Sequence, residues 1–441
     1  MTRPEFSSGA RARSQRGQVI VMIVLMLALG TGFLVYSLAG PRALAAQKNA
    51  ETDAALAQVK QALIGWSAAR TPTITSPNIR PGELPCPDMD NDGSDNDGAC
   101  SAGAIGRVPW KTLGIPEPLD GSGETLWYAI AGPFRYKYSP STPPITSDTL
   151  GNLTVYQGSS ATTLTSQAIA VVFAPGPPLG TQARGSTTAM CATTGTTIQQ
   201  RNCATNYLES TGGGNNPQTG GPFIQAIASG TFNDRVLAIT NADLMPLVER
   251  RVAREMMAIL EQYRAATGAY PWSDLSDGDS NFSYNRPRLP CGTAQPTDWG
   301  SGGTPLLPDW LANGCTNPVT GWTSVIYYSA ARNQLESGGA GCATCTAATL
   351  TVTNSSNSLA ELCLTGATPF ICTPTVVTSG SARVVLITPG AATANRASGW
   401  PTSSGSITGY FEDAENSDNN DDNYVVPSST TNDHDRMYIV R

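Results

Sequence analysis

Residues 18–39 read QVIVMIVLMLALGTGFLVYSLA. The run carries no charge, and its length matches the roughly 20 residues that span a bilayer as a helix. Arg3, Arg11, Arg13 and Arg16 precede it, with only Glu5 against them, and Arg42 and Lys48 follow. That bias places the N-terminus in the cytoplasm. The expectation is therefore a single transmembrane helix over 18–40, held in a bacterial inner membrane. The C-terminal body would lie in the periplasm or on a cell-surface filament. A cleaved secretory signal is the competing reading, with Ala43-Leu44-Ala45-Ala46 as a cleavage site, but its apolar core should be only about 7–15 residues long.

Beyond the run, Ala43 to Arg70 keeps a helical pattern. Leu56, Val59, Leu63 and Trp66 recur on one face. The 441-residue chain as a whole is poor in charge (14%) and rich in Gly (44) and Pro (32), which suits short strands and long surface loops. The net charge of −7 argues against nucleic acid as a partner, because no Lys/Arg cluster lies outside the N-terminus.

Ten cysteines follow the apolar run: Cys86, Cys100, Cys191, Cys203, Cys291, Cys315, Cys342, Cys345, Cys363 and Cys372. Zinc signatures need two close Cys pairs or His partners. Only Cys342 and Cys345 are close, and the sole His is His434. The expectation is disulfides in an oxidising compartment. Cys86–Cys100, Cys191–Cys203 and Cys291–Cys315 would be local pairs, and the last four would pair among themselves.

The body reads as two diverged copies of one unit, spanning 41–242 and 243–441. Leu84-Pro85-Cys86 matches Leu289-Pro290-Cys291, and Pro109-Trp110 has a counterpart near Pro308-Asp309-Trp310. Trp127-Tyr128-Ala129 echoes Tyr327-Tyr328-Ser329-Ala330, and Val171–Gly176 echoes Val385–Gly390. Tyr207-Leu208-Glu209 echoes Tyr410-Phe411-Glu412, and Asp234–Ile239 echoes Asp435–Val440. The order is kept throughout, at a period too long for a solenoid. One large irregular domain is the alternative. The second copy opens with a helix from about Asp243 to Thr267, with Val248, Val252, Met256, Ile259, Leu260 and Tyr263 as its apolar stripe and Gly268 as its C-cap. Strands are expected at 126–130, 169–174, 236–240, 324–329, 350–353, 383–388 and 437–440. Ser139–Leu164 and Thr181–Thr197 read as exposed loops or edge strands.

An apolar helix that runs into an amphipathic one, then a β-rich domain, resembles the type IV pilins and pseudopilins. Arg16-Gly17 ahead of Gln18 is similar to a prepilin leader junction, so residues 1–17 would be a leader cut between Gly17 and Gln18. The fifth residue after that junction is Met22, where most pilins carry Glu. The resemblance implies an α+β fold: an N-terminal transmembrane helix extending into a long helix, then two tandem pilin-like units of helix plus antiparallel sheet. It also implies partnership with other pilin or pseudopilin subunits through the N-terminal helix.

One motif points to a metal. In Pro87–Gly98, Asp88, Asp90, Asp92 and Gly93 occupy positions 1, 3, 5 and 6 of a calcium loop, and Asp95 and Asp97 could complete the shell. Hard carboxylate oxygens at alternate positions converge on a tight turn. The twelfth position is Ala99 rather than Glu, and Cys86 and Cys100 bracket the loop. A solvated acidic turn is the plainer reading. The acidic run 412–423 has ligand types without spacing, and Asp277–Asn281 reads as a turn. Catalysis finds little support, since His434 lies in a polar tract and no phosphate-binding Gly loop occurs. Cys342-Ala343-Thr344-Cys345 resembles a redox pair but sits in a Gly/Thr-rich stretch, where disulfides with Cys363 and Cys372 are expected.

The leading functional expectation is a non-enzymatic structural component of a type IV pilus or type II secretion apparatus, with a calcium-stabilised, disulfide-bonded head. A membrane-anchored periplasmic or surface adhesin is the alternative. A periplasmic hydrolase is the third class.

Overall fold

The computed structural model describes residues 16–70, 80–95, 100–135, 144–180, 182, 184, 203–271, 322, 325–334, 350–365, 370–391, 411, 413–417, 423–428 and 435–441. Helix α1, Arg16–Ala69, is a single element of 54 residues. Its C-terminal turns bury Leu56, Val59, Leu63 and Ile64. Arg251 closes its end by donating to the carbonyls of Ala68 (2.9 Å) and Arg70.

The expected transmembrane helix is corrected. Among the described residues, no helix is long and apolar enough to cross a membrane. Side chains of α1 are described for 21–28 and again from Arg42 onward. The first stretch is apolar. The second carries Arg42, Lys48, Glu51 and Asp53. The expectation of a single-pass inner-membrane protein is corrected with it. The purely antiparallel sheets of that expected fold are corrected too, because three strand pairs are parallel.

The first unit contains β1 (Ile105–Arg107), the short helix α2 (Trp110–Leu113), β2 (Trp127–Ile130), β3 (Leu153–Gln157) and β4 (Ser159–Ala174). A small hairpin, β5 (Ser210–Thr211) and β6 (Gly214–Asn215), precedes β7 (Phe223–Gln225) and β8 (Arg235–Thr240). The order is β1-β2-β4-β3-β7, with β8 on the free side of β4. Strand β4 changes character along its length. Its Thr/Ser-rich first half is exposed and pairs with β3, while Ala168–Ala174 is wholly buried between β2 and β8.

Helix α3, Asn241–Thr267, follows β8 directly. Thr240 and Asp243 form a capping box, and Gly268 (φ 86°) closes the far end with its N–H on the Arg264 carbonyl at 2.8 Å. Asp243 also pairs with Lys60 of α1 at 2.7 Å, which ties the two helices together.

The second unit has β9 (Tyr327–Ala330), β10 (Leu350–Thr353), β11 (Leu359–Leu364), β12 (Ile371–Val376) and β13 (Gly380–Ala382). It ends with β14 (Val384–Thr388), β15 (Asn423–Val425) and β16 (Arg436–Val440). One sheet runs β12-β11-β16-β14-β9 and a smaller one β13-β10-β15.

The two units share strand register. Trp127 opposes Phe173 and Phe173 opposes Val236; in the second unit Tyr327 opposes Ile387 and Ile387 opposes Met437. Those are the residues the sequence echoes align. The parallel pair β3–β7 corresponds to β10–β15. The Asn216 amide brackets Ile224 as the Asn416 amide brackets Val425. One expected match moves. The Leu84 N–H binds the Phe134 carbonyl, and the Tyr270 N–H binds the Gln334 carbonyl. Tyr270-Pro271 therefore stands where Leu84-Pro85 does. Leu289-Pro290-Cys291 and Pro308-Asp309-Trp310 lie outside the described residues. A single buried cluster contains residues of α1, α3 and the large sheets of both units, and a second one fills the space between the two sheets of the second unit.

Candidate functional site

The acidic loop grows out of β1. Asp88 exchanges backbone hydrogen bonds with Arg107, 3.0 Å from its N–H and 2.8 Å to its carbonyl. That exchange buries its side chain to 1% exposure. Its Oδ1 accepts the N–H groups of Asp90 (3.2 Å), Asn91 (2.6 Å) and Asp92 (3.3 Å), and Oδ2 accepts that of Gly93 (2.7 Å). The turn needs left-handed backbone at Asn91 (φ 64°) and Gly93 (φ 88°). A Cβ on Gly93 would stand 2.6 Å from the Trp110 ring, so the loop is fitted against α2. Lys111 reinforces the fit with its N–H on the Gly93 carbonyl and its Nζ on the Asp92 carbonyl.

Carboxylate oxygens of Asp88, Asp90 and Asp92 converge within 4.8 Å of one another, with Asp90 and Asp92 exposed. Burial pushes the Asp88 carboxyl above its ordinary range, while the Gly93 and Asn91 N–H groups pull it back. Asp95 stands apart from the three, receiving the Thr112 hydroxyl at 3.2 Å. Asp97 lies outside the described residues. A disulfide joins Cys86 to Cys100 across the loop, with Cα atoms 5.7 Å apart. The donor set suits a hard cation: oxygen only, three carboxylates, and a preformed turn. Oδ2, which accepts only the Gly93 N–H, keeps a further lone pair for a cation, whereas Oδ1 is taken up by its three donors.

Elsewhere the expected sites are distributed as follows. Gly17 and Gln18 fall in the first turn of α1. Cys363 and Cys372 bond to each other across β11 and β12, a pairing within the last four cysteines, and are therefore not joined to Cys342 and Cys345. Cys203 is disulfide-bonded. Cys191, Cys291, Cys315, Cys342, Cys345 and His434 lie outside the described residues. Of the second acidic run, Asp413 accepts the Glu415 N–H at 2.8 Å and Asn416 is committed to Val425.

Sequence reasoning missed three features. Arg107 is a buried guanidinium stacked over the Trp127 and Tyr207 rings, at 4.6 and 4.3 Å. Asp234, 2% exposed, lies against Glu209, and burial followed by the Glu209 charge holds its carboxyl well above the ordinary range. A cavity of about 610 Å³ opens between the units, lined by Thr165, Gln167, Thr240, Asn241, Leu359 and Arg436 among others. None of the three carries a local sequence signal. Each is made by residues far apart in the chain.

Comparison with protein-family models, curated proteins and solved structures finds no match to this chain.

Proposed function

We propose that the chain is a non-catalytic structural subunit of a larger assembly, of the pilin-like kind its N-terminal sequence resembles. Its long helix would pack against the same helix in other subunits. The observation that carries this reading is the exposed start of α1. Val21 to Leu27 are apolar and each between 52% and 69% exposed. A helix apolar on all sides is covered by something in its working state. The same helix continues into the body, where Leu56 to Ile64 are buried, so whatever covers its first turns is rigidly coupled to the head. The head is suited to such a role: Cys86–Cys100 and Cys363–Cys372 staple one loop in each unit. In the first unit the Asp88, Asp90 and Asp92 loop would hold a calcium ion that stiffens the turn on α2.

Sedimentation tests the assembly. The full chain in detergent-free buffer should form large species, and a chain starting at Ala43 should sediment as a monomer. Leu25→Glu in the full chain should shift the distribution towards monomer. A full chain that stays monomeric at high concentration sinks the proposal.

A further inference from the structure

The two units differ at one sheet edge. In the second unit β16 is paired on both sides. Strand β14 lies antiparallel on one, and β11 lies parallel on the other, with Glu361 opposite Tyr438, Leu362 opposite Ile439 and Cys363 opposite Val440. Strand β11 is held there by side chains as well. The Glu361 carboxylate meets Arg250 at 3.0 Å and Arg254 at 2.7 Å on α3, and Cys363 is bonded to Cys372 of β12.

The equivalent of β16 in the first unit is β8. Among the described residues it pairs with β4 and with no other strand. Among the described residues, 235–239 make no backbone hydrogen bond on the outer edge. Leu237 and Ala238 there are partly exposed. An open edge is a template for another strand unless charge, proline or a bulge blocks it. Val236, Leu237, Ala238 and Ile239 supply none of those blocks. Arg235, the one charge on β8, is turned to α1 by Asp53 and the Asn49 carbonyl.

We infer that the outer edge of β8 accepts an extended strand from a partner polypeptide, laid parallel in the register that β11 shows beside β16. The second unit supplies the template for the occupant. Residues Leu359–Leu364 bury Ala360, Glu361 and Cys363 and expose both ends, and in the transferred register Glu361, Leu362 and Cys363 would fall opposite Leu237, Ala238 and Ile239. A second copy of this chain is a poor donor, because its own β11 is locked by the Cys363–Cys372 disulfide and the two arginines. The partner is a different polypeptide with a free extended segment, bound through main-chain hydrogen bonds with alternate side chains setting specificity. This inference does not depend on the filament reading.

The probe is a synthetic peptide with the sequence of Asn357–Thr365, carrying Cys363→Ser. It is titrated into the full chain, and amide hydrogen exchange is followed by mass spectrometry. Amides of Val236–Ile239 should slow about tenfold or more at saturation, with dissociation at about 1 mM or tighter. The same peptide with Glu361→Pro should give no protection, because proline removes a donor that faces this edge, as the 4.0 Å Cα separation of the Cys363–Cys372 pair across the other edge requires. No protection by the first peptide overturns the proposal. Equal protection by the proline peptide also overturns it, since backbone pairing would not then be the mode. Protection that rises with protein concentration without peptide would assign the edge to a second copy and overturn the stated partner.

Discussion

Tyr128 and Tyr328 stand at the same register position of two different sheets, and each donates its phenolic hydroxyl to a proline carbonyl: Tyr128 to Pro85 at 3.2 Å, Tyr328 to Pro271 at 3.0 Å. Both are almost completely buried. The bond anchors the segment that follows each long helix to the centre of the sheet beneath it. Replacing either by Phe keeps the ring and strands a buried carbonyl, at a cost of about 1–3 kcal/mol. Thermal melts should show Tyr128→Phe and Tyr328→Phe lowering the midpoint by similar amounts. A neutral result in one of them would break the equivalence.

Asp234 makes stability depend on pH. Its folded value is raised above the ordinary 3.8, by burial first and by Glu209 second. A raised carboxyl favours the folded state fully below 3.8, and that contribution is lost as pH climbs through the folded value. Asn has no proton to lose. The stability of Asp234→Asn relative to the parent should therefore rise as pH increases from 4 to 8, read by urea unfolding. A constant difference would refute the assignment.

The acidic loop predicts a calcium dependence. A ligand that binds only the folded state stabilises by RT ln(1 + [L]/Kd), about 2.7 kcal/mol at a hundredfold excess. The missing twelfth-position Glu places affinity in the range of about 10⁻⁴–10⁻³ M. Millimolar calcium should raise the melting temperature of the parent and leave that of Asp90→Ala unchanged. Asp90 is exposed, so the variant should fold without calcium much as the parent does. An equal calcium shift in both would move the ion elsewhere.

Arg80 and Glu83 form a buried pair at 3.0 Å, with Glu83 fully enclosed. Burial raises the Glu83 carboxyl, and Arg80 opposes that rise. Removing Arg80 leaves the enclosed carboxylate with only the weaker pull of Arg70, a loss of up to about 3–5 kcal/mol. Arg80→Met should be strongly destabilised at pH 7. The deficit should shrink towards pH 4, where the carboxyl takes up its proton. A deficit of the same size at both values would show that lost packing, not charge, is responsible.

Local pattern made the second long helix legible. Val248, Val252 and Met256 repeat at helical spacing, and Gly268 supplies the stop. The spacing of Asp88, Asp90 and Asp92 announced their convergence. Other features depended on partners distant in the chain. Nothing in Leu359–Leu364 reveals a parallel neighbour about 80 residues later, because pairing direction is not a local property. The Thr/Ser-rich start of β4 leaves exposed loop and edge strand both open in the sequence, and only pairing with β3 makes it a strand. The Leu-Pro-Cys echo at 289–291 drew attention by composition, whereas the actual counterpart, Tyr270-Pro271, is defined by a backbone hydrogen bond that composition cannot show. The apolar run at 18–39 invited a lipid environment by length alone, and length alone does not choose what covers a helix.

The Lys60–Asp243 contact sits on a core that belongs to neither unit alone. Cut between β8 and α3, each half would expose a face that the other half now covers: Leu56 to Ile64 on one side, Val248 to Leu260 on the other. The halves are repeats in register but not independent folding bodies. Denaturation should destroy both together, a protease nick at Thr240 would leave a non-covalent pair, and a one-unit version of this protein could persist only by dimerising through that same face.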